Sequence, residues 1–347
     1  MKRIFLAIRI CIVCLACMFC VSSMVAQMAR NNGAPHTSSE TIAAQSPADC
    51  QNPAPPNVNQ LALLRWYGAN LTTAFSAGGD GPTGIAFDGI NVWVALQGSG
   101  TVAKIRANDG VLFGTFPIGT YPGYAAFDGA NVWVTSLDNT VTKLRTSDGA
   151  NLGKFPTGTF PWGIAFDGSN IWVGNILDNT VSKIRPSDGK TLGVFPSGPH
   201  PIGLAFDGSN IWVTNQGGRV FDTVTKLRAS DGALLGMFPV GSNPVGVTFD
   251  GSTIWVANSG SKTVTRLSVS DGHQLGIFPV GLQPQFIAFD GANLWITNLA
   301  SNNVTKLRAC DGALLGTFEG GNGPLGIAFD GANIWVSNSN DGTVSKM

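Results

Sequence analysis

An all-β chain, folded as a seven-bladed β-propeller of four-stranded antiparallel blades, is predicted by three observations. A motif recurs seven times, strand-like runs alternate with turn signals inside each repeat, and the two chain ends complete one another. The motif is Phe-Asp-Gly followed closely by an aliphatic residue and Trp, with its aspartates at Asp88, Asp128, Asp167, Asp207, Asp250, Asp290 and Asp330. Successive steps are 40, 39, 40, 43, 40 and 40 residues. A period near forty is that of a propeller blade.

Each blade is justified element by element. In the unit starting at Pro244, four runs alternate small, apolar and polar residues as strands do: Val245 to Phe249, Ile254 to Asn258, Thr263 to Leu267 and Gln274 to Phe278. Asp250-Gly251 and Asp271-Gly272 supply two of the turns, because Asp and Gly accept the positive φ of tight hairpins. Residues 259–262 supply the third. Blade seven reaches only its third strand at Thr343 to Met347, and the missing fourth lies at the other end, where Leu64 to Gly78 aligns with Leu227 to Gly241. The N-terminal strand is therefore expected to complete the C-terminal blade, and closure of the ring removes the exposed edges of an open array.

Composition fits one large repeat domain over residues 61–347: 44% hydrophobic, 12% charged, with 45 glycines for turns. Propellers reach that length because each blade packs only on its neighbours. The formal net charge is zero and becomes slightly acidic without Lys2, Arg3 and Arg9, so no nucleic-acid partner is expected. A monomer is expected.

Residues 1–26 read as a signal peptide, with Lys2, Arg3 and Arg9 before an apolar run from Ile10 to Val21 and small residues at Ser23 or Ala26 for cleavage. The competing reading is an uncleaved anchor, but the run after Arg9 is shorter than the roughly 20 residues of a typical span. No integral span is expected after cleavage, and the location is extracytoplasmic, periplasmic or secreted. Residues 27–60, rich in Ser, Ala, Pro and Asn, read as a disordered linker. Cys11, Cys14, Cys17 and Cys20 leave with the leader, so Cys50 and Cys310 remain, either as a disulfide stapling the tether or as two free thiols.

The repeated residues take structural readings. Trp93, Trp133, Trp172, Trp212, Trp255, Trp295 and Trp335 sit at one place in every blade, and a ligand platform is not needed seven times. Burying an indole contributes roughly 4 to 6 kcal/mol of gross transfer energy. The seven motif aspartates read as turn residues rather than a metal ring. Lys104, Lys143, Lys183, Lys226 and Lys306, with arginines two residues on and aspartates three after several of those, read as local solvated pairing.

Function is expected where the copies diverge, on the face formed by the inter-blade loops and the loops between second and third strands. There blades two to four bring Tyr121, Tyr124, Phe160, Trp162 and His200, and Asn243, Gln283 and Gln285 follow round the ring. The longer loop that accounts for the 43-residue step adds Arg219. Aromatic and amide side chains together suit a small polar or cyclic ligand, a glycan, a peptide or a protein segment. The same aromatics would equally serve to plug the axial channel.

Trp212-Val213-Thr214-Asn215, then Thr223 to Leu227 and Phe238 to Gly241, resembles the Tyr-Val-Thr-Asn (YVTN) β-propeller repeat family across residues 61–347, with Trp in place of Tyr. The looser Gly-x-x-Pro-x-Gly-Ile-Ala pattern is similar to streptogramin B lyases and, more distantly, to NHL-type propellers. The lyase resemblance implies elimination from a cyclic depsipeptide, assisted by magnesium and by loop-face His and Glu residues. Here that context holds only His200, and the other histidines and glutamates, His36, His273, Glu40 and Glu319, lie elsewhere. Lactonase-type propellers hold calcium on inner acidic and amide residues, whereas the inner strands here offer mainly Gly, Ile and Ala. A binding or interaction module with no cofactor is therefore the leading expectation, with a magnesium-dependent lyase or lactone hydrolase as the alternative.

Overall fold

The computed structural model describes residues 73–217 and 222–347. The leader, the tether, Cys50 and Arg219 thus lie outside the described residues. Twenty-eight strands, from β1 (Thr73–Ser76) to β28 (Thr343–Lys346), form seven four-stranded antiparallel sheets. In blade five the strands are Pro244–Phe249, Thr253–Asn258, Thr263–Ser268 and Gln274–Pro279, within a residue of those the turn signals delimit. Blade seven runs in the order β1-β28-β27-β26, with β26 at Pro324–Phe329 and β27 at Ile334–Asn338. Phe75 pairs with Val344 and Thr73 with Lys346, so the N-terminal strand does close the ring.

One cassette, repeated in each blade, explains the motif. The Trp indole Nε1 donates to the Oδ2 of its motif aspartate at 2.6–2.8 Å in all seven blades. The other oxygen of that aspartate accepts backbone N–H groups two and three residues on, as Asp250 does from Ser252 and Thr253. A Phe of the fourth strand packs on the same indole, with centroids 5.1–5.7 Å apart. In blade seven Phe75 of β1 fills that role against Trp335. Six of the seven indoles are wholly buried and Trp295 nearly so. Burial alone would push the Asp290 carboxyl up, but hydrogen bonds from Trp295, Asn293 and backbone N–H groups outweigh it and hold the group below the ordinary carboxylate range.

The third-strand cations correct an expectation. The arginines do pair with aspartates three residues on, as Arg185 with Asp188 at 2.7 Å, at exposed sites worth little. The lysines are not solvated: Lys104, Lys183 and Lys226 are buried. Each lies over its blade's Trp, and the series including Arg266, Lys306 and Lys346 spans 4.4–5.4 Å to the ring centroid. For Lys104, Lys143, Lys183, Lys226 and Lys346 the charge is met by carbonyls of the next blade. Lys104 Nζ donates to Thr146 O at 2.6 Å, Lys183 to Ala229 O at 2.6 Å and Lys346 to Ala107 O of blade one at 2.7 Å. These staples fasten blade to blade where a hydrophobic seam alone would slide, and they run through the closure.

The accepting turn must come close, which is why it contains Gly. At Gly149, φ is 74° and a Cβ would overlap the ring of Phe116 from the preceding blade. Cys310 lies in the equivalent turn of blade six, where its carbonyl accepts from Arg266 Nη1 at 2.8 Å. Its sulfur is disulfide-bonded, and every other cysteine of the chain falls within residues 1–72, outside the described residues. The two free thiols are thus replaced by a bridge on the Cys310 side. That Cys50 is the partner stays a proposal.

Candidate functional site

Blades meet at the axis through their first strands, each touching the next and blade seven touching blade one. Thr135, Thr214, Thr297 and Ser337 of second strands donate hydroxyl hydrogen bonds at 2.6–2.7 Å to the carbonyl of the neighbouring inner strand. This is the work of the third residue in the Trp-Val-Thr-Asn run. Its asparagine is also buried: Asn258 Nδ2 bonds Thr265 Oγ1 at 2.8 Å, and Asn338 Oδ1 accepts Gly321 N–H at 3.0 Å, tying second strand to loop.

Two residues past the inner-strand proline, five blades have Gly: Gly84, Gly163, Gly203, Gly246 and Gly326. Blades two and six have Tyr124 and Phe286 instead, both wholly buried. Their ring centroids are 5.2 Å apart. Blades two and six are not neighbours, so these rings meet across the axis and close it. Trp162 of blade three packs edge-on to Tyr124 at 5.5 Å, and Ile202, Val245 and Leu325 complete the same cluster. Of the sequence-nominated residues, Tyr124 and Trp162 therefore form the plug of the channel, and Gln285 is buried beside it at 2% exposure. The Trp162 indole Nε1 has no hydrogen-bond partner among the described residues.

Tyr121, Phe160, His200, Asn243 and Gln283 stand above this floor at one equivalent place, directly before the proline that opens each inner strand. All five have left-handed backbone, with φ of 50°, 57°, 47°, 51° and 52°. Blades one and seven meet the same requirement with Gly81 and Gly323, at φ of 62° and 69°. A loop residue holds the bend in place: Asn139 Oδ1 accepts Phe160 N–H at 3.0 Å, Asn179 Oδ1 accepts His200 N–H at 2.9 Å, and Asp222 Oδ2 accepts Asn243 N–H at 3.0 Å. The strained carbonyls in turn accept from the next loop, as His200 O does from Gln216 N–H at 3.2 Å. Left-handed conformation costs a non-glycine residue about 1 to 2 kcal/mol. Backbone strain of this kind gathers at functional sites.

Phe160 stacks on Trp162 at 5.8 Å and links rim to floor. Tyr121 is 44% exposed, and His200, Asn243 and Gln283 are exposed as well. His200 Nδ1 lies 3.0 Å from Gln216 O, which can only accept, so the neutral ring carries its proton on Nδ1 and presents Nε2 as an acceptor. A magnesium ion needs convergent oxygen donors, and among the described residues no three His, Cys, Asp or Glu side chains gather as a metal site. Among the described residues, His200 therefore stands on this face without the charged ligands that ion would share with it.

Two residues of this face escape a reading confined to aromatics and amides at the inter-blade loops. Gln216 and Asp222 flank the longer loop, and both are buried. Aligning the residue before each third-strand Thr or Asn exposes Asp222, since its counterparts are Gly100, Asn139, Asn179, Lys262, Asn302 and Gly342.

No protein-family model matches the chain, and no curated protein matches it either. Solved structures do. Hydrazine synthase of Kuenenia stuttgartiensis is 17% identical with a TM-score of 0.69, covering 81% of this chain and 98% of that one. A streptogramin B lyase structure is 18% identical with a TM-score of 0.67, covering 80% of this chain and 96% of that one. At these identities the likeness establishes the propeller architecture, which hosts unrelated activities, and leaves the chemistry to the site itself.

Proposed function

We propose that this chain is an exported binding propeller whose inter-blade loop face takes a small polar or cyclic ligand, a glycan or a peptide end. One observation carries the reading. Five blades keep Tyr121, Phe160, His200, Asn243 and Gln283 at a left-handed position where blades one and seven use Gly. Architecture is served by Gly there, so the side chains are retained for something other than folding. Aromatic faces on one side of the rim and amides on the other offer flat apolar area with hydrogen bonds, over a floor closed by Tyr124, Trp162 and Phe286.

The test is a thermal-shift panel of lactones, cyclic depsipeptides, glycans and peptides on the full chain beside a Tyr121→Gly/Phe160→Gly/His200→Gly variant. Removing strain should leave the variant as stable as the parent or more so, by up to about 1 kcal/mol per site. A ligand-induced rise in midpoint should vanish in it. Equal shifts in parent and variant would end the reading. Turnover of a lactone or depsipeptide, lost with His200→Gly alone, would favour the lyase or lactonase alternative, with His200 Nε2 as the base.

A further inference from the structure

Six of the seven seams between blades carry one contact on the hairpin face. The turn from third to fourth strand of a blade receives the cation of the blade before it, as the carbonyls of Ala229 and Ser230 accept from Lys183 Nζ at 2.6 and 3.1 Å. A glycine of that turn also abuts the fourth-strand Phe of the blade before. Gly232 faces Phe195, Gly149 faces Phe116, and Gly110 of blade one faces Phe75 of blade seven.

At the seam of blades six and seven the described residues supply neither half of this contact. Lys306 lies over Trp295 at 4.4 Å, the shortest distance of its series, and no described carbonyl accepts from its Nζ. No described glycine faces Phe318 in the way Gly312 faces Phe278. Trp295 is 8% exposed, whereas the other six motif indoles are at 0%. A half-buried ammonium without acceptors is costly, so this seam calls for the same turn as the rest.

The third strand of blade seven ends at Lys346 and its fourth strand is β1, so the residues in the position of that turn are those before Thr73. Residues 64–71 lie outside the described residues, and their sequence aligns with Leu227 to Leu234, which places Trp66 and Tyr67 against Ala229 and Ser230. Both ends of this stretch are held on the hairpin face. Thr73 pairs with Lys346, whose Nζ bonds the blade-one turn. Cys310, in the blade-six turn, is disulfide-bonded, and every other cysteine stands at position 50 or earlier. Whichever of them is the partner, residues 64–71 run between the bridge and β1.

We propose that residues 64–71 dock on the hairpin face at the seam of blades six and seven, where the carbonyls of Trp66 and Tyr67 accept from Lys306 Nζ and the chain covers Phe318 and Trp295. Gly68, one residue ahead of the glycine in the aligned turn, leaves a residue without Cβ where the chain approaches Phe318. The ring is then closed twice, by β1 in its sheet and by this clasp one seam earlier. The clasp lies on the face opposite the rim and is independent of what binds there.

Hydrogen exchange of the full, disulfide-bonded chain tests the clasp without any substitution. In blade four the amides of Arg228, Ala229 and Gly232 bond Ala233 O, Ser209 O and Arg228 O. The aligned amides of Arg65, Trp66 and Ala69 should therefore exchange about tenfold or more slowly than in a free peptide of residues 64–71. Exchange at the free-peptide rate would overturn the inference. A double-substitution cycle gives the second measurement. Lys306→Met and replacement of residues 64–71 by a Gly-Ser stretch of equal length should each lower the thermal midpoint by a few degrees, and together by no more than the larger alone. Additive losses, or a midpoint that Lys306→Met leaves unchanged or raises, would overturn it. Slow exchange that disappears on dilution would overturn it in favour of a seat for the same stretch of a second copy.

Discussion

The two faces of the ring are made by the same repeats yet obey different rules. On the hairpin face, seven Asp-Gly turns hold seven indoles in one geometry, with Nε1 to Oδ2 distances that vary by 0.2 Å. On the loop face the backbone is just as regular, since all seven pre-proline residues are left-handed, but the side chains are Gly, Tyr, Phe, His, Asn, Gln and Gly. Identical backbone with different side chains separates what the fold needs from what it carries. Uniformity marks scaffold and divergence marks the site.

That contrast is best broken by substitutions on the hairpin face, where effects should be large and alike in every blade. Trp255→Ala should cost about 3 to 5 kcal/mol in denaturant unfolding, because it empties the space between Phe278 and Arg266 and leaves Asp250 without its indole donor. Trp212→Ala should match it. An unchanged unfolding free energy in either would contradict the cassette. Next in size, Gly149→Ala should cost about 1 to 3 kcal/mol, since it combines a φ of 74° with overlap on Phe116. Exchange of Gly89, whose Cβ would meet nothing, should cost less despite a φ of 97°. Equal losses at the two glycines would show that conformation alone, and not close approach, requires Gly149.

The smallest effect is on pH dependence. The folded state holds the Asp290 carboxyl below its unfolded value, so its contribution is present above the unfolded pKa of about 3.9 and is lost as pH falls through the folded value. Asp290→Asn should therefore lower stability at neutral pH and reduce the further loss on acidification. A variant with the parent's full acid dependence would remove Asp290 from the account. Loop-face substitutions, by contrast, should change ligand affinity and leave stability within about 1 kcal/mol.

Much of the scaffold was legible because its determinants are local. Asp-Gly dipeptides set turns, alternation sets strands, and the shared register of Leu64 to Gly78 with an internal blade located the closing strand, later found as Thr73–Ser76. The site was legible as a list and not as an arrangement. Tyr121 and Tyr124 are three residues apart, but one precedes the inner strand on the rim and the other lies within it at the axis, where the register is irregular between Pro122 and Ala125 as it is between Pro284 and Ile287 beside Phe286. The lysines were misassigned for a related reason. A charge with an aspartate nearby in sequence reads as paired, yet their partners are carbonyls some 43 residues away, as Lys143 with Pro186.

By itself, the sequence determined the number of blades, the strands within each, the place of the seven motif indoles and the face on which the copies diverge, since all of these follow from short-range periodicity and turn chemistry. Only the tertiary structure decided that Tyr124 and Phe286 close the axis, that buried lysines reach carbonyls of the next blade, and that Gln216 and Asp222 both bond the Asn243-Pro244 dipeptide. Those contacts join residues of different blades, and their distances exist only once the ring has closed and the curvature of seven stacked sheets has brought separate loops to a common centre.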